Sequence, residues 1–516
     1  MELSIDRDLV RTGRRHATEI VDPIVRFVDR HSTVSVERSV LRLLGVTDAD
    51  AESVPLANRV IERNRHRLAD GIAVSIARAV AETGQSPQQI APEVAAGRLD
   101  LESFDGVPAA AATAALQPFV HAALAAIARN REVRTAALIR LPQAPPPLLY
   151  VIVASGNIYE DRTAAVAAAE AGAQIIAVIR STAQSLLDFV PHGATTEGFG
   201  GTYATQENFR IMREALDETS ERLGRYVMLT NYASGLCMPE IATMAALERL
   251  DMLLNDSMYG ILFRDINMKR TFVDQHFSRL INAQSGIIIN TGEDNYLTTA
   301  DAVDQAPAVL ASQLINEAFA HRAGMRDEQI GLGDAYEIDP DLEDGFLLQI
   351  AQAQLARQIF PNSPLKYMPP TKHMTGNIFK GHLMDAMFNL TSVMTNQTIH
   401  LCGMLTEAIH TPFLHDRALA IENARYVMGT ARHLGDELTI KPGGKIEARA
   451  QFVLAEAVAL LGRVAERGLM ESIEGKTFAD VSRSPDGGRG ADGVFEKAPT
   501  YWNPFADAFA PTVAAR

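Results

Sequence analysis

From residue 148 onward, short apolar runs alternate with longer amphipathic stretches. The runs cover residues 148–153, 175–179, 226–229, 252–254, 287–289, 330–332, 365–368 and 399–402. Several are continuous rather than alternating, the pattern of strands buried on both faces of a parallel sheet. Between them lie stretches with helical spacing, such as Phe209, Met212, Leu216 and Leu223. Eight strands separated mostly by helices predict a (β/α)8 TIM-type barrel, with a doubly wound sheet as the competing topology. Residues 1–145 are helical in pattern and end at the breaker Pro142-Gln-Ala-Pro-Pro-Pro147. They predict an N-terminal helical accessory domain, the barrel then occupying 146–440. The last segment, 441–516, holds one strong helix over 446–467 and an extended tail. The stretch SRSPDGGRGADGVFEKAPTYWNPF is too rich in glycine and proline for regular structure and is expected to wrap another surface.

The connection 180–210, RSTAQSLLDFVPHGATTEGFGGTYATQENFR, is unusually long and polar for a compact domain. Such loops are commonly binding loops or lids. It offers a cation at Arg180, several hydroxyls and the glycine group 198–201.

In a barrel, chemistry sits where strands end. There the sequence places Ser155-Gly-Asn157 with Tyr159, Asp161 and Arg162; Arg180 with Ser185; Asn231 to Gly235, including Ser234; Tyr259 with Arg264; Asp294-Asn295-Tyr296; Asp334 and Tyr336; and Lys366-Tyr367. Singly, a Ser or Asn after a strand is most often a turn former or a helix cap. Convergence of two arginines, hydroxyls, aromatic faces and a carboxylate opposite a lysine on one rim shifts that balance. Arg180 with Ser185 could clamp a phosphate by charge-assisted hydrogen bonds, and Tyr259 could stack on a flat ring. Asp294 and Lys366 could hold the amino and carboxylate groups of an amino acid.

Composition narrows the classes. An apolar fraction of 47% with 22% charged residues is ordinary for a soluble globular protein, and a net charge of −15 argues against a general nucleic-acid or anionic-membrane partner. The two cysteines, Cys237 and Cys402, are far apart, which excludes a cysteine-rich zinc site or disulfide framework and fits a cytoplasmic setting. The N-terminus has no apolar signal core, and no uninterrupted apolar run reaches the ~18 residues of a membrane span. No lysine precedes Lys269. No metal site is expected: His373 and His382 lack zincin spacing. Asp274-Gln-His276 begins like a DxHxxG cobalamin motif, but Arg279 stands where its glycine would and the segment reads as helix. Neither a Rossmann fingerprint nor a Walker A loop is present.

Four long segments carry a more specific signal: SLLDFVPHGATTEGFGGTYATQENFRIMREALDE, TNYASGLCMPEIA, LNDSMYGILFRDINMKRTFVDQHFSRLINAQSGIIINTGEDNYLTT and PLKYMPPTKHMTGNIF. With the helical N-terminal region and the YWNPF tail, they resemble the large (alpha) subunit of lysine 5,6-aminomutases. The resemblance implies a barrel that binds pyridoxal 5'-phosphate (PLP) and works with adenosylcobalamin. The reaction is a reversible radical 1,2-shift of the terminal amino group of D-lysine or L-β-lysine to the adjacent carbon. It also implies residue roles. Arg180 and Ser185 hold the PLP phosphate, Ser234 faces the pyridine nitrogen, Tyr259 stacks on the ring, and Arg264 and Asn295 complete the pocket. Tyr259 and Asn295 are thereby placed closest to the chemistry, while Asp294 and Lys366 bind the substrate. A separate beta subunit is expected to supply the cobalamin fold and the lysine that holds PLP as a Schiff base, in a dimer of heterodimers. The related ornithine 4,5-aminomutase fuses its barrel to a cobalamin domain for which this chain offers no counterpart. Besides an ornithine-type subunit, the other readings are a cobalamin-independent phosphate-binding barrel enzyme and a non-catalytic scaffold.

Overall fold

The computed structural model describes residues 1–48, 54–292, 302–335, 339, 341–410 and 412–511. Eight parallel strands form a closed ring: β1 (Leu148–Ile152), β2 (Ile175–Val178), β3 (Met228–Tyr232), β4 (Met252–Leu254), β5 (Ile288–Asn290), β6, β7 (Lys366–Met368) and β8 (Ile399–Leu401). The sixth strand is broken at Leu332 into Ile330–Gly331, paired with β5, and Gly333–Ala335, paired with β7. β8 closes the ring against β1, with Ile399 opposite Leu148. The predicted barrel is therefore present, and the doubly wound alternative is not.

The expected run at 226–229 is displaced, because the strand begins at Met228 and carries its polar end through Thr230, Asn231 and Tyr232. Tyr226 instead belongs to the turn below, where its N–H donates to the Leu141 carbonyl at 3.0 Å and its hydroxyl to Asp251 at 2.9 Å.

Each strand is followed by a helix. In order these are α7 (Ile158–Ala171), α8 (Gln206–Leu223), α9 (Met238–Leu247), α10 (Met268–Ser285), α11 (Ala302–Arg322), α12 (Gly345–Ile359), α13 (Ile378–Met394) and α14 (Leu414–Thr430). The inner core is filled by alternate strand residues such as Tyr150, Ala177, Met228, Met252, Met368 and Leu401. A larger apolar layer lies between strands and helices, as the pleat requires.

The N-terminal region supplies α1 (Arg7–Arg30), α2 (Val34–Leu43), α3 (Leu56–Arg63), α4 (Ile72–Thr83), α5 (Pro87–Ala95) and α6 (Ala109–Arg140). By length and composition α6 could cross a membrane, but it lies beneath the barrel. There its Asn130 donates to the carbonyls closing α9, at 2.9 Å to Ala246 and 2.7 Å to Leu247, and Arg134 donates to Ser285 O at 2.7 Å and to Leu250 O. The final long helix, α15 (Lys445–Arg467), packs against α1, α11 and α12.

The tail wraps this chain's own surface. One segment, expected to lack regular structure, forms a short strand: Val494–Glu496 pairs antiparallel with His31–Thr33, whose edge supplies the partner groups. Tyr501 then donates to Glu37 at 2.8 Å.

Candidate cofactor and substrate site

Arg180 leaves the end of β2 and is almost fully buried. Its Nε donates to the Ser234 carbonyl at 2.8 Å, and its Nη2 to that carbonyl and, at 3.1 Å, to Ser234 Oγ. Several other buried arginines have carboxylate partners: Arg38 has Glu240, Arg134 and Arg213 share Asp251, and Arg270 has Asp188 and Asp274. Among the described residues no carboxylate pairs with Arg180. Burial lowers its pKa to about 10, Arg264 adds to the effect, and Tyr259 and Tyr232 oppose it. An unbalanced cation held out of water costs several kcal/mol unless an anion joins it.

Tyr259 and Arg264 face this cation from the end of β4, on a π turn spanning Tyr259–Phe263. Such turns insert one residue into a helix and recur at functional sites. Arg264 Nη2 donates to Tyr259 Oη at 3.3 Å, and its guanidinium lies 4.6 Å from the Phe263 ring centroid. Its Nε is buried without a hydrogen-bond partner among the described residues. The pocket therefore holds two cations, an orphaned N–H and an aromatic face. That set fits a phosphorylated flat ring.

Ser185 sits on the short 3-10 turn Thr182–Leu186 and is buried, its Oγ donating to the Thr182 carbonyl at 2.8 Å. Its main chain touches the β3 loop, where Leu236 N donates to Ser185 O at 3.1 Å. A Cβ on Gly235 would lie 2.8 Å from Ser185 Cα, so only glycine lets the two loops meet.

The loop 180–205 is tied down at three places. Residues 198–202 fold back on its start: Thr202 N donates to Ile179 O at 2.9 Å, and Ser181 N to Thr202 O at 3.0 Å. Thr202 in turn donates to Asp161, which also accepts from Ser155 N at 2.6 Å, joining the β1 loop. Farther along, Asp188 accepts from Arg38 at 2.6 Å and from Arg270 at 2.6 and 2.8 Å. Although burial opposes it, these two cations hold the Asp188 carboxyl below the usual range. Arg270 also donates to Leu236 O at 3.0 Å, so one guanidinium spans the β2 and β3 loops.

The structure thus brings together Arg180, Ser185, Ser234, Tyr259 and Arg264. Lys366 lies fully buried on β7, opposite β3 in the ring. Asp294 and Asn295 lie outside the described residues, as do Tyr296 and Tyr336. His276 of the DxH-like segment sits within α10 and lines a cavity with Lys497 and Tyr501. Sequence reasoning passed over Asp188 and Arg270 as site residues and named Gly235 only as part of the rim stretch 231–235. Asp188, three positions past Ser185 in a loop already marked as polar, was the one visible signal.

The chain matches the family model described as the D-lysine 5,6-aminomutase TIM-barrel domain of the alpha subunit over residues 3–508. It is 54% identical over 508 residues to the lysine 5,6-aminomutase alpha subunit of Acetoanaerobium sticklandii, covering 98% of each chain. It is 55% identical over 507 residues to that of Fusobacterium nucleatum, again covering 98% of each. The chain belongs to the lysine 5,6-aminomutase alpha-subunit family. That makes it a subunit of an aminomutase, an isomerase. A more distant relative is the D-ornithine 4,5-aminomutase subunit beta of A. sticklandii, 27% identical over 373 residues, which span 70% of this chain and 50% of that one. Among solved structures, a Yersinia pestis dihydropteroate synthase covers 55% of this chain and 93% of its own, at 14% identity and a TM-score of 0.34. That likeness is too remote to bear on function. As in any lysine 5,6-aminomutase alpha subunit, the word alpha implies a partner subunit.

Proposed function

We propose that this chain is the PLP-binding subunit of an adenosylcobalamin-dependent lysine 5,6-aminomutase, moving the terminal amino group of D-lysine or L-β-lysine to the adjacent carbon. The observation that carries the cofactor reading is Arg180, a buried cation with no carboxylate partner among the described residues, facing Tyr259 and Arg264. Arg180 would take the PLP phosphate, with Ser185 and the touching main chains of the β2 and β3 loops forming the cradle. Ser234 is fixed beside the guanidinium, Tyr259 offers its ring face, and Arg264 has an N–H to give. Lys366 with Asp294 would hold the polar groups of the substrate, and Asn295 would complete the pocket. When bound, PLP and adenosylcobalamin supply the amine carrier and the radical. The protein's share is to bind, to orient and to exclude water.

The mouth of the barrel supports a covering partner. Large apolar side chains stand exposed on the loops and first helical turns that follow the strands: Tyr159, Phe199, Phe379, Ile409 and Phe413, with Phe199 and Phe379 about four-fifths exposed at 81% and 80%. A cobalamin-binding beta subunit carrying the Schiff-base lysine, in a dimer of heterodimers, accounts for that apolar ring. The buried free thiols of Cys237 and Cys402 accord with a cytoplasmic setting.

The test is co-expression with a cobalamin-binding subunit and assay with lysine, β-lysine and ornithine. Turnover of lysine or β-lysine that requires both cofactors is expected. Turnover of ornithine alone, or of a sugar phosphate without cobalamin, would replace the proposal. Borohydride trapping of PLP should label the partner; a label on this chain contradicts the assigned division.

A further inference from the structure

The π turn carries two of the groups that face Arg180, and its own end is irregular. The chain turns through Asp265 at φ +56°. Ile266 N reaches back to Gly260 O at 3.2 Å, and Asn267 N donates to Arg489 O at 3.0 Å. Those N–H groups would otherwise serve the preceding helical carbonyls, so the carbonyls of Ile261 and Leu262 need other donors. Arg483, from the tail, supplies them. Its Nε donates to Ile261 O at 3.0 Å and its Nη2 to Leu262 O at 2.9 Å, while Nη1 lies 3.4 Å from the Asp265 carboxylate. The tail continues as a strap over the same segment. Arg489 N donates to Asp265 O at 2.8 Å, and Asn267 Nδ2 donates to Pro485 O at 3.0 Å and to Gly487 O at 2.7 Å. Guanidinium capping of two successive carbonyls fixes a direction as well as a position.

We propose that Arg483 is a positioning residue of the cofactor pocket, capping the π turn so that Tyr259 and Arg264 are presented to Arg180. Among the described residues its hydrogen bonds and ion pair all go to the turn segment, and it acts only through the turn. The inference rests on the reading of Arg180, Tyr259 and Arg264 as a phosphate and ring site, and it adds a residue more than 200 positions away in sequence, Arg483 being 222 positions from Ile261.

The experiment uses the chain purified with its partner subunit and 4'-deoxypyridoxine 5'-phosphate, a ligand without an aldehyde that reports the non-covalent pocket alone. Arg483→Ala should weaken this ligand about ten-fold and alter its circular dichroism when bound. Arg483→Lys should restore part of both, since an ammonium can cap only imperfectly. Asp486→Asn, which cuts the exposed Lys269–Asp486 pair elsewhere on the strap, should leave both unchanged. Unaltered affinity and dichroism in Arg483→Ala overturn the proposal. So does an equal loss in Asp486→Asn, or a loss that merely follows a fall in thermal midpoint. If Arg483→Ala does not fold, Arg483→Lys decides, and wild-type affinity and dichroism there overturn the proposal. Arg180→Ala in parallel separates the two levels. If it leaves the ligand bound, the pocket reading fails; if it releases the ligand while Arg483→Ala does not, only the role of Arg483 falls.

Discussion

The two ends of the barrel are built on opposite principles. At the N-terminal face, α6 lies across the turns that feed β4 and β5, and its polar side chains meet main-chain carbonyls. The buried cations there share a carboxylate: Asp251 accepts from Tyr226 at 2.9 Å and from Leu229 N at 2.7 Å, and pairs with Arg134 at 3.1 Å and Arg213 at 3.0 Å. At the C-terminal face, Arg180 is buried without a carboxylate, Arg264 keeps an unused N–H, and large apolar side chains stand in solvent. At one end the buried cations share an anion of this chain. The other is where, under the proposed function, cofactor and partner would bind. The difference lies in the partners of the buried cations: a carboxylate of this chain serves Arg134 and Arg213 below, and among the described residues none serves Arg180 above.

The contrast can be broken most forcefully from below. Asp251→Asn leaves two buried guanidiniums short of their shared anion and should cost about 3–5 kcal/mol of unfolding free energy. Denaturant titration checks this; a loss under about 1 kcal/mol would show that the lower end is less tightly balanced than its geometry implies. At the upper end, Arg180→Ala should weaken a phosphate-bearing cofactor by about 1.5–3 kcal/mol, near ten- to hundred-fold. Unlike Asp251→Asn, it should change the stability of the ligand-free chain little, because it removes an uncompensated charge. Retained PLP affinity by equilibrium dialysis removes Arg180 from the site.

Smaller effects belong to the rim. Phe379→Ser and Phe413→Ser should leave stability within about 0.5 kcal/mol while weakening association with the partner by about 1–2 kcal/mol each. Unchanged association measured by sedimentation would place the partner elsewhere. The least effect is one of pH. With its pKa lowered to about 10 by burial, ligand-free Arg180 loses its proton near that pH, whereas the phosphate-bound form keeps it. Affinity for a simple phosphate ester, dianionic well above about pH 6, should therefore be level from pH 8 to 9 and fall as pH rises through about 10. A rise over that range contradicts the assignment, and Arg180→Ala should flatten the profile.

Much of this was legible in the chain because the physical signals were local. Continuous apolar runs at 175–179 and 252–254 mark strands buried on both faces, and the polar residues just beyond them name a rim. Arg180, Ser185, Ser234, Tyr259 and Arg264 could be read in that way. Tyr226 misled because an aromatic beside Val227 looks like strand, whereas its hydroxyl is drawn to Asp251 in the layer below. The split at Leu332 was hidden, since nothing local distinguishes a kinked apolar run from a straight one. Arg270 and Arg483 were hidden for a different reason. Their importance lies in which carbonyls and carboxylates they reach, and those partners are set by the closed ring and the tail's path. Asp294 and Asn295, expected in the pocket, lie outside the described residues.

The route of the tail bears on how the site comes into being during synthesis. Tyr501 and Glu37 are 464 positions apart, and the short strand at 494–496 closes on 31–33. A chain emerging from the ribosome N-terminus first can form its helical region and most of its barrel strands before that loop can close. The cap on the π turn arrives later than everything it steadies. Cofactor capture would then report that translation had passed the tail, so chains stopping short of it would remain poorly loaded even with a formed barrel.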